Sequence, residues 1–162
     1  MKIKVGIGYD VHRFSTQGED LHVVLGGCKI SSNRSIIAHS DGDLVLHALT
    51  DALLGSIAAG DIGSYFPPSD PKWKGANSET FVKHALKLLK DKNGKLSNVD
   101  ITIIGEHPKI NPHRNEIQKS LAKIVELDVE DVSVKATTVE KLGSIGREEG
   151  IACQAIVCIS LI

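Results

Sequence analysis

The sequence predicts an α+β fold: a single two-layer domain, residues 1-162, with helices packed on one face of a mixed β-sheet. Three observations support it. Apolar and polar residues alternate at the start of the chain and apolar residues run densely near its end, the pattern of strands. Between them lie three stretches whose apolar residues recur at spacings of three and four, the helical period. The segments follow the order strand, hairpin, helix, helix, strand, helix, strand, strand, which fits one sheet covered by one helical layer. No repeat, low-complexity tract or linker divides the 162 residues, a length that builds a core unaided.

Ile3, Val5 and Ile7 alternate with Lys2, Lys4 and Gly6, so the first element reads as a strand. Continuing its period of two places Asp10 and His12 on one side. Leu21 to Leu25 and Cys28 to Ile30 form a hairpin through Gly26-Gly27. Asp43 to Ala59 reads as the strongest helix, with Leu46, Leu49, Leu53 and Ile57 inward and Ser40 or Asp41 as its cap. Gly60-Asp61-Ile62-Gly63 ends it. The proline-rich loop that follows, to about Asn77, is long for a compact domain and points to a lid or binding loop. A second helix runs from Ser78 to about Lys92 and stops at Asn93-Gly94. Leu96 to Gly105 is a strand, Pro112 to Val125 a helix, and Val132 to Ala136 and Ile151 to Leu161 the last strands.

Composition narrows the function. A formal net charge of -1 supplies no general attraction to nucleic acid or an anionic membrane, so an anionic substrate must be held locally. One Trp and three Phe do not furnish a stacking platform for single strands. Three cysteines without a CxxC pair argue against a disulfide framework and for a reducing compartment. The N-terminus enters a strand pattern with no signal-peptide core, and no apolar run approaches roughly 18 residues. The expectation is a soluble, cytoplasmic chain.

The chemistry concentrates in two segments, Gly8-Tyr9-Asp10-Val11-His12 and His39-Ser40-Asp41-Gly42-Asp43-Leu44-Val45-Leu46-His47. One carboxylate and two imidazoles with an open fourth position are the ligand set of a catalytic zinc. His47 is favoured because Asp43 and Asp51 stand four residues to either side, where a carboxylate can take the second ring N–H. His22, His84, His107 and His113 lack such company and read as surface residues. The segment His39 to Gly42 precedes a helix and serves either as its cap or as an anion site. Lys135-Ala136-Thr137-Thr138-Val139-Glu140 combines a cation, hydroxyls and a carboxylate, a set suited to a phosphorylated substrate and a hard cation. P-loop, GxSxG, GxGxxG and HExxH patterns are absent.

Taken in order, these strings resemble the 2-C-methyl-D-erythritol 2,4-cyclodiphosphate synthase family of the non-mevalonate isoprenoid pathway. They are Gly8 to His12, Ala38 to Asp43, His47 to Gly55, Gly60 to Gly63, Phe66-Pro67, Asn98 to Asp100, Lys135 to Thr138 and Gly150 to Ala152, collinear over nearly the whole chain. The resemblance implies a lyase that cyclises 4-diphosphocytidyl-2-C-methyl-D-erythritol 2-phosphate and releases CMP. It implies zinc on Asp10, His12 and His47, and Mg²⁺ or Mn²⁺ on Glu140. By the same match His39 and Thr138 steady the transition state, and Ser40 contacts phosphate. Asp61, Ile62 and Gly63 contact the diol or diphosphate, and Phe66, Pro67 and Asp70 cover the erythritol. The Gly105 to Asn111 stretch, including Lys109, holds the cytidine with Ala136, Thr137 and Thr138. Arg147 belongs to an axial anion site of a homotrimer whose sites lie between subunits.

Two positions depart from the family pattern. Ser144 stands where several relatives carry a Phe beside the trimer axis, and Val139 replaces a third Thr. Two other readings compete: a zinc-dependent phosphodiesterase using the same ligands, and a non-catalytic zinc-stabilised module.

Overall fold

A computed structural model describes residues 1–162. Five strands form a mixed sheet in the order β4 (Ser35–Ile37), β1 (Lys2–Ser15), β7 (Gly150–Leu161), β5 (Gly94–Ile104) and β6 (Val132–Thr137). At its centre β7 runs antiparallel to β1 on one side and to β5 on the other. β6 adds parallel to β5, and β4 pairs antiparallel with the end of β1. The hairpin β2 (His22–Leu25) and β3 (Cys28–Ser31) stands apart from this sheet. Helices α1 (Leu44–Ser56), α3 (Glu79–Asp91) and α4 (Arg114–Val125) pack against the sheet. The expected two-layer α+β domain with a mixed sheet is the observed architecture.

The core follows from side-chain alternation. Ile101 and Ile103 of β5, and Ile151, Cys153, Ala155, Val157 and Ile159 of β7, are fully buried beneath Leu46, Leu49 and Leu53 of α1. β1 behaves differently. Its helix-facing positions carry Gly6 and Gly8, while Ile3, Val5, Ile7, Tyr9 and Val11 point away from the helices and are 49–64% exposed. The reason is backbone contact: a Cβ on Gly6 or Gly8 would overlap the carbonyls of Ala52 or Ala48 in α1. The strand therefore presents glycine and then Asp10 and His12 to the helix, and its apolar residues to the outside.

Several boundaries are corrected. α1 closes at Ser56 rather than Ala59, and Asp43, not Ser40 or Asp41, caps it by accepting from Leu46 N at 3.1 Å. Three short elements escaped the periodicity argument because each spans less than two turns or two alternations: β4, α2 (Ile62–Tyr65) and α5 (Gly143–Gly146). The third helix starts with a 3-10 turn, Asn111–His113, before α4. No helix is long and apolar enough to cross a membrane.

Candidate functional site

Asp10 and His12 lie two residues apart on β1 and so share its helix-facing side. His47 sits in the first turn of α1, directly above them. Asp43 sets the helix start. Its buried carboxylate accepts from Gly26 N at 2.9 Å, Gly27 N at 2.7 Å and Leu46 N, so one side chain ties the β2–β3 turn to the helix. Burial pushes this carboxyl up to about 6, against the pull of its three N–H donors.

The three donors converge. Asp10 Oδ2 is 3.0 Å from His12 Nε2 and 3.0 Å from His47 Nδ1, and all three atoms lie within 4.8 Å of one another. The other nitrogen of His12, Nδ1, is 3.2 Å from the Gly42 carbonyl. A carbonyl only accepts, so Nδ1 carries the hydrogen and Nε2 turns its lone pair toward Asp10. Electron-pair donors facing one another in this way require a cation among them, a proton or a metal ion, and the two-imidazole, one-carboxylate set suits zinc. For Asp10, burial opposes ionisation, but hydrogen bonds and charge from His12 and His47 outweigh it and lower the carboxyl to about 2. For His12, burial opposes the charged ring, but the hydrogen bond and charge of Asp10 outweigh it and raise its pKa.

Neither carboxylate expected to orient His47 does so. Asp43 is engaged as the helix cap, and Asp51 accepts from Ile62 N at 2.7 Å at the start of α2. His47 Nε2 instead meets two hydroxyls, Ser40 Oγ at 3.0 Å and Ser78 Oγ at 2.8 Å. From the sequence Ser78 reads only as a helix start. Its sole sequence signal is its place at the end of the long loop. His84 is a second correction. It is half-buried against Tyr65 and Phe66, with ring centroids 4.8 Å and 5.2 Å away, because it lies on the inner face of α3.

Above the donors opens a cleft of about 370 Å³. His39 and Ser40 form one wall, Ile62, Gly63 and Phe66 another, and Trp73 and Phe81 close the aromatic side. His39 Nε2 lies 3.3 Å from the Asp70 carbonyl, joining the loop to the segment before α1. Pro68 rather than Pro67 lines the cleft. Asp61 caps α2, accepting from Ser64 N at 3.0 Å and Ser64 Oγ at 2.9 Å, and Asp70 caps the next 3-10 turn through Lys72 N at 3.0 Å.

The remaining predicted residues gather elsewhere. A second cleft, about 210 Å³, is lined by Gly105, Lys109, Ala136, Thr137 and Thr138 among others, and shares no residue with the first. Gly105 N donates to the Thr137 carbonyl at 3.0 Å, which joins its two walls. Glu140 is exposed, with its N–H 3.3 Å from Thr138 Oγ1. Exposed Arg147 pairs with Glu149 at 2.8 Å. Within one chain most predicted site residues thus line one or other of two separate clefts, while Asp61, Pro67, Asp70, Glu140 and Arg147 line neither.

An α+β domain with two imidazoles and a carboxylate that could hold a metal ion beside an open cleft has the makings of an enzyme active site. The YgbB family model matches residues 3–160, and the chain belongs to this family. A relative from Idiomarina loihiensis named 2-C-methyl-D-erythritol 2,4-cyclodiphosphate synthase is 50% identical over 157 residues, covering 97% of each chain. The bifunctional IspDF from Campylobacter jejuni superposes with a TM-score of 0.92 at 40% identity, over 99% of this chain and 43% of that longer one. IspF from Plasmodium falciparum, solved as a CDP complex, superposes with a TM-score of 0.85 at 37% identity, over 98% of this chain and 96% of that one.

Proposed function

We propose that this chain is a metal-dependent 2-C-methyl-D-erythritol 2,4-cyclodiphosphate synthase. It converts 4-diphosphocytidyl-2-C-methyl-D-erythritol 2-phosphate to the cyclic diphosphate and CMP. The observation that carries this reading is the convergence of Asp10, His12 and His47 at the floor of an open cleft, in a chain of this family.

The reaction closes a ring. An oxygen of the 2-phosphate attacks the β-phosphorus, the bond from that phosphorus to the bridging oxygen breaks, and CMP leaves with the electron pair. The nucleophile is already ionised at neutral pH, so no strong general base is required. The protein's task is to fold a polyanion back on itself and neutralise charge at the β-phosphorus. Asp10, His12 and His47 would hold zinc, and Glu140 a second cation, Mg²⁺ or Mn²⁺. Bound there, the metals supply Lewis acidity and charge neutralisation at phosphoryl oxygens. His39 and Ser40 stand on the cleft wall beside the donors, where they contact phosphate oxygens. Ile62, Gly63, Phe66 and the Asp70 turn enclose the erythritol, with Asp61 and Pro67 in supporting positions, and Arg147 belongs to the axial anion site. Thr138 steadies the transition state.

The cytidine is assigned to the second cleft, with Gly105, Lys109, Ala136 and Thr137. A homotrimer brings the second cleft of one chain to the first cleft of its neighbour. Two features support this: the clefts share no lining residue, and the outer face of β1 is an apolar stripe from Ile3 to Val11. The CDP complex of the Plasmodium falciparum structure supports a cytidine diphosphate-linked substrate. We place the enzyme in the cytoplasm, where the free thiols of Cys28, Cys153 and Cys158 suit a reducing milieu.

Product identity is the test. Incubated with the substrate and divalent metal, the purified chain should yield CMP and the cyclic diphosphate in equal amounts. Linear phosphates would support a phosphodiesterase instead.

A further inference from the structure

We propose that Ser78 and Asp41 are positioning residues for the metal centre: together they keep the ring proton of His47 on Nε2, so that Nδ1 faces the metal as a lone pair. This rests on the reading of Asp10, His12 and His47 as metal donors, and extends it to two residues outside that set.

The direction of each hydrogen bond fixes the logic. An ionised carboxylate has acceptors only. Asp41 takes the Ser78 backbone N–H on Oδ2 at 3.0 Å and the Ser78 hydroxyl on Oδ1. The single hydroxyl proton of Ser78 is therefore committed to Asp41. What Ser78 Oγ turns toward His47 Nε2, 2.8 Å away, is a lone pair. That contact is a hydrogen bond only if Nε2 carries the proton. Ser78 is fully buried, so no water relieves two facing lone pairs there, whereas Ser40 Oγ, 3.0 Å from the same nitrogen, can turn either its proton or a lone pair to it and fits both tautomers.

Adjacent residues thus set both imidazoles. The Gly42 carbonyl holds the proton of His12 on Nδ1, and Asp41, acting through Ser78, holds that of His47 on Nε2. Asp43 caps α1, so Asp41 turns both oxygens to Ser78, its Oδ1 also accepting from Asp43 N at 3.1 Å. The same residue anchors the loop over the cleft: Asp41 N donates to the Ala76 carbonyl at 3.1 Å, and Gly75 N to the His39 carbonyl at 2.7 Å. The Ser78 hydroxyl makes no capping bond to α3, so the helix does not need it.

The test uses the full chain and two readouts. Zinc affinity is measured against a competing chelator. The His47 tautomer is read by ¹⁵N NMR of metal-free protein in mildly alkaline buffer, each variant in an Asp10→Ala background, because the Asp10 carboxylate 3.0 Å from Nδ1 otherwise draws a proton there. The Asp10→Ala background alone should show the Nε2-protonated ring. Ser78→Ala should mix the tautomers and weaken zinc binding by roughly 10–100-fold, the usual loss when a partner of a metal ligand is removed. In Asp41→Asn the new amide donates to Ser78 Oγ and frees the hydroxyl to donate to Nε2, so the tautomer should shift toward Nδ1 with a similar loss. Asp41→Asn keeps an acceptor for Ser78 N–H but gives up the Oδ1 acceptor of Asp43 N–H at 3.1 Å, so its fold is checked by circular dichroism, and Ser78→Thr should restore both readouts lost in Ser78→Ala. An unchanged tautomer and unchanged zinc affinity in both Ser78→Ala and Asp41→Asn overturn the proposal. A wild type that binds no zinc, while the Asp10→Ala background shows the predicted tautomer and its shifts, overturns the metal reading and leaves the proton relay standing.

Discussion

Gly8 of β1 and Ala48 of α1 are in direct backbone contact: a Cβ on Gly8 would overlap the Ala48 carbonyl. Asp10 and His12 follow Gly8 along the strand and His47 precedes Ala48 on the helix, so this close approach brings the donors together. Gly8→Ala should force the two elements apart. Overpacking of this kind typically costs about 1–3 kcal/mol, and the metal donors should separate with it. Denaturant unfolding and zinc affinity should both fall. Gly55→Ala is the control. The nearest neighbour of its Cβ is Ile7 O at 3.8 Å, and alanine's helix propensity should leave stability equal or higher.

His47→Ala should remove zinc and turnover together while the chain stays folded and assembled. Asp43, not His47, caps the helix, and His47 is not a member of the apolar core. Metal analysis of the purified variant, alongside its circular dichroism, measures this. A variant that keeps zinc overturns the ligand assignment.

The buried Asp43 makes stability depend on pH in a direction unusual for a carboxylate. Its folded pKa, about 6, lies above the ordinary 3.8. Between those values the native state binds more protons than the unfolded chain, so stability falls as pH rises from about 4 to 6. The loss is on the order of 3 kcal/mol at 1.36 kcal/mol per pKa unit. Asp10 acts oppositely and lower. Depressed from 3.8 to about 2, it contributes stability above about 4 that is lost as pH falls toward 2. Chemical denaturation of the metal-free chain should show the first slope, and Asp43→Asn should flatten it.

Replacing an apolar residue of the outer β1 face with a charge, as in Ile7→Lys, should lower the mass in solution from that of the proposed trimer to that of a monomer. Ile7 is 60% exposed in the single chain, so the substitution leaves the chain's own core intact. Turnover should collapse while zinc binding persists, because Asp10, His12 and His47 belong to one chain. Sedimentation together with metal analysis separates the two effects.

Thr138→Ala should lower kcat more than it raises KM, because the hydroxyl is assigned to charge placed at the reacting phosphorus. Equal loss in CMP affinity and in turnover would remove Thr138 from that role.

Much of this was legible in the residues. Helical spacing located α1, α3 and α4 to within a few positions, since each buries a continuous apolar stripe. Period-two geometry placed Asp10 and His12 on one side of a strand, a consequence of local covalent structure alone. Other features were hidden because they rest on contacts distant in sequence. Alternation in β1 identified a strand but not which face was inward. Backbone packing of α1 on Gly6 and Gly8 turned the apolar residues outward.

By itself, then, the sequence determined the α+β class, the helical layer and the shared strand side of Asp10 and His12. These depend on short-range periodicity and on residue chemistry at fixed spacing. Only the tertiary structure decided that Asp43 caps α1 and leaves Asp41 to reach Ser78, 37 residues away. It also divided most of the site residues between two clefts. A carboxylate accepts from whichever donors folding brings within hydrogen-bond reach, and no spacing rule specifies partners that far along the chain.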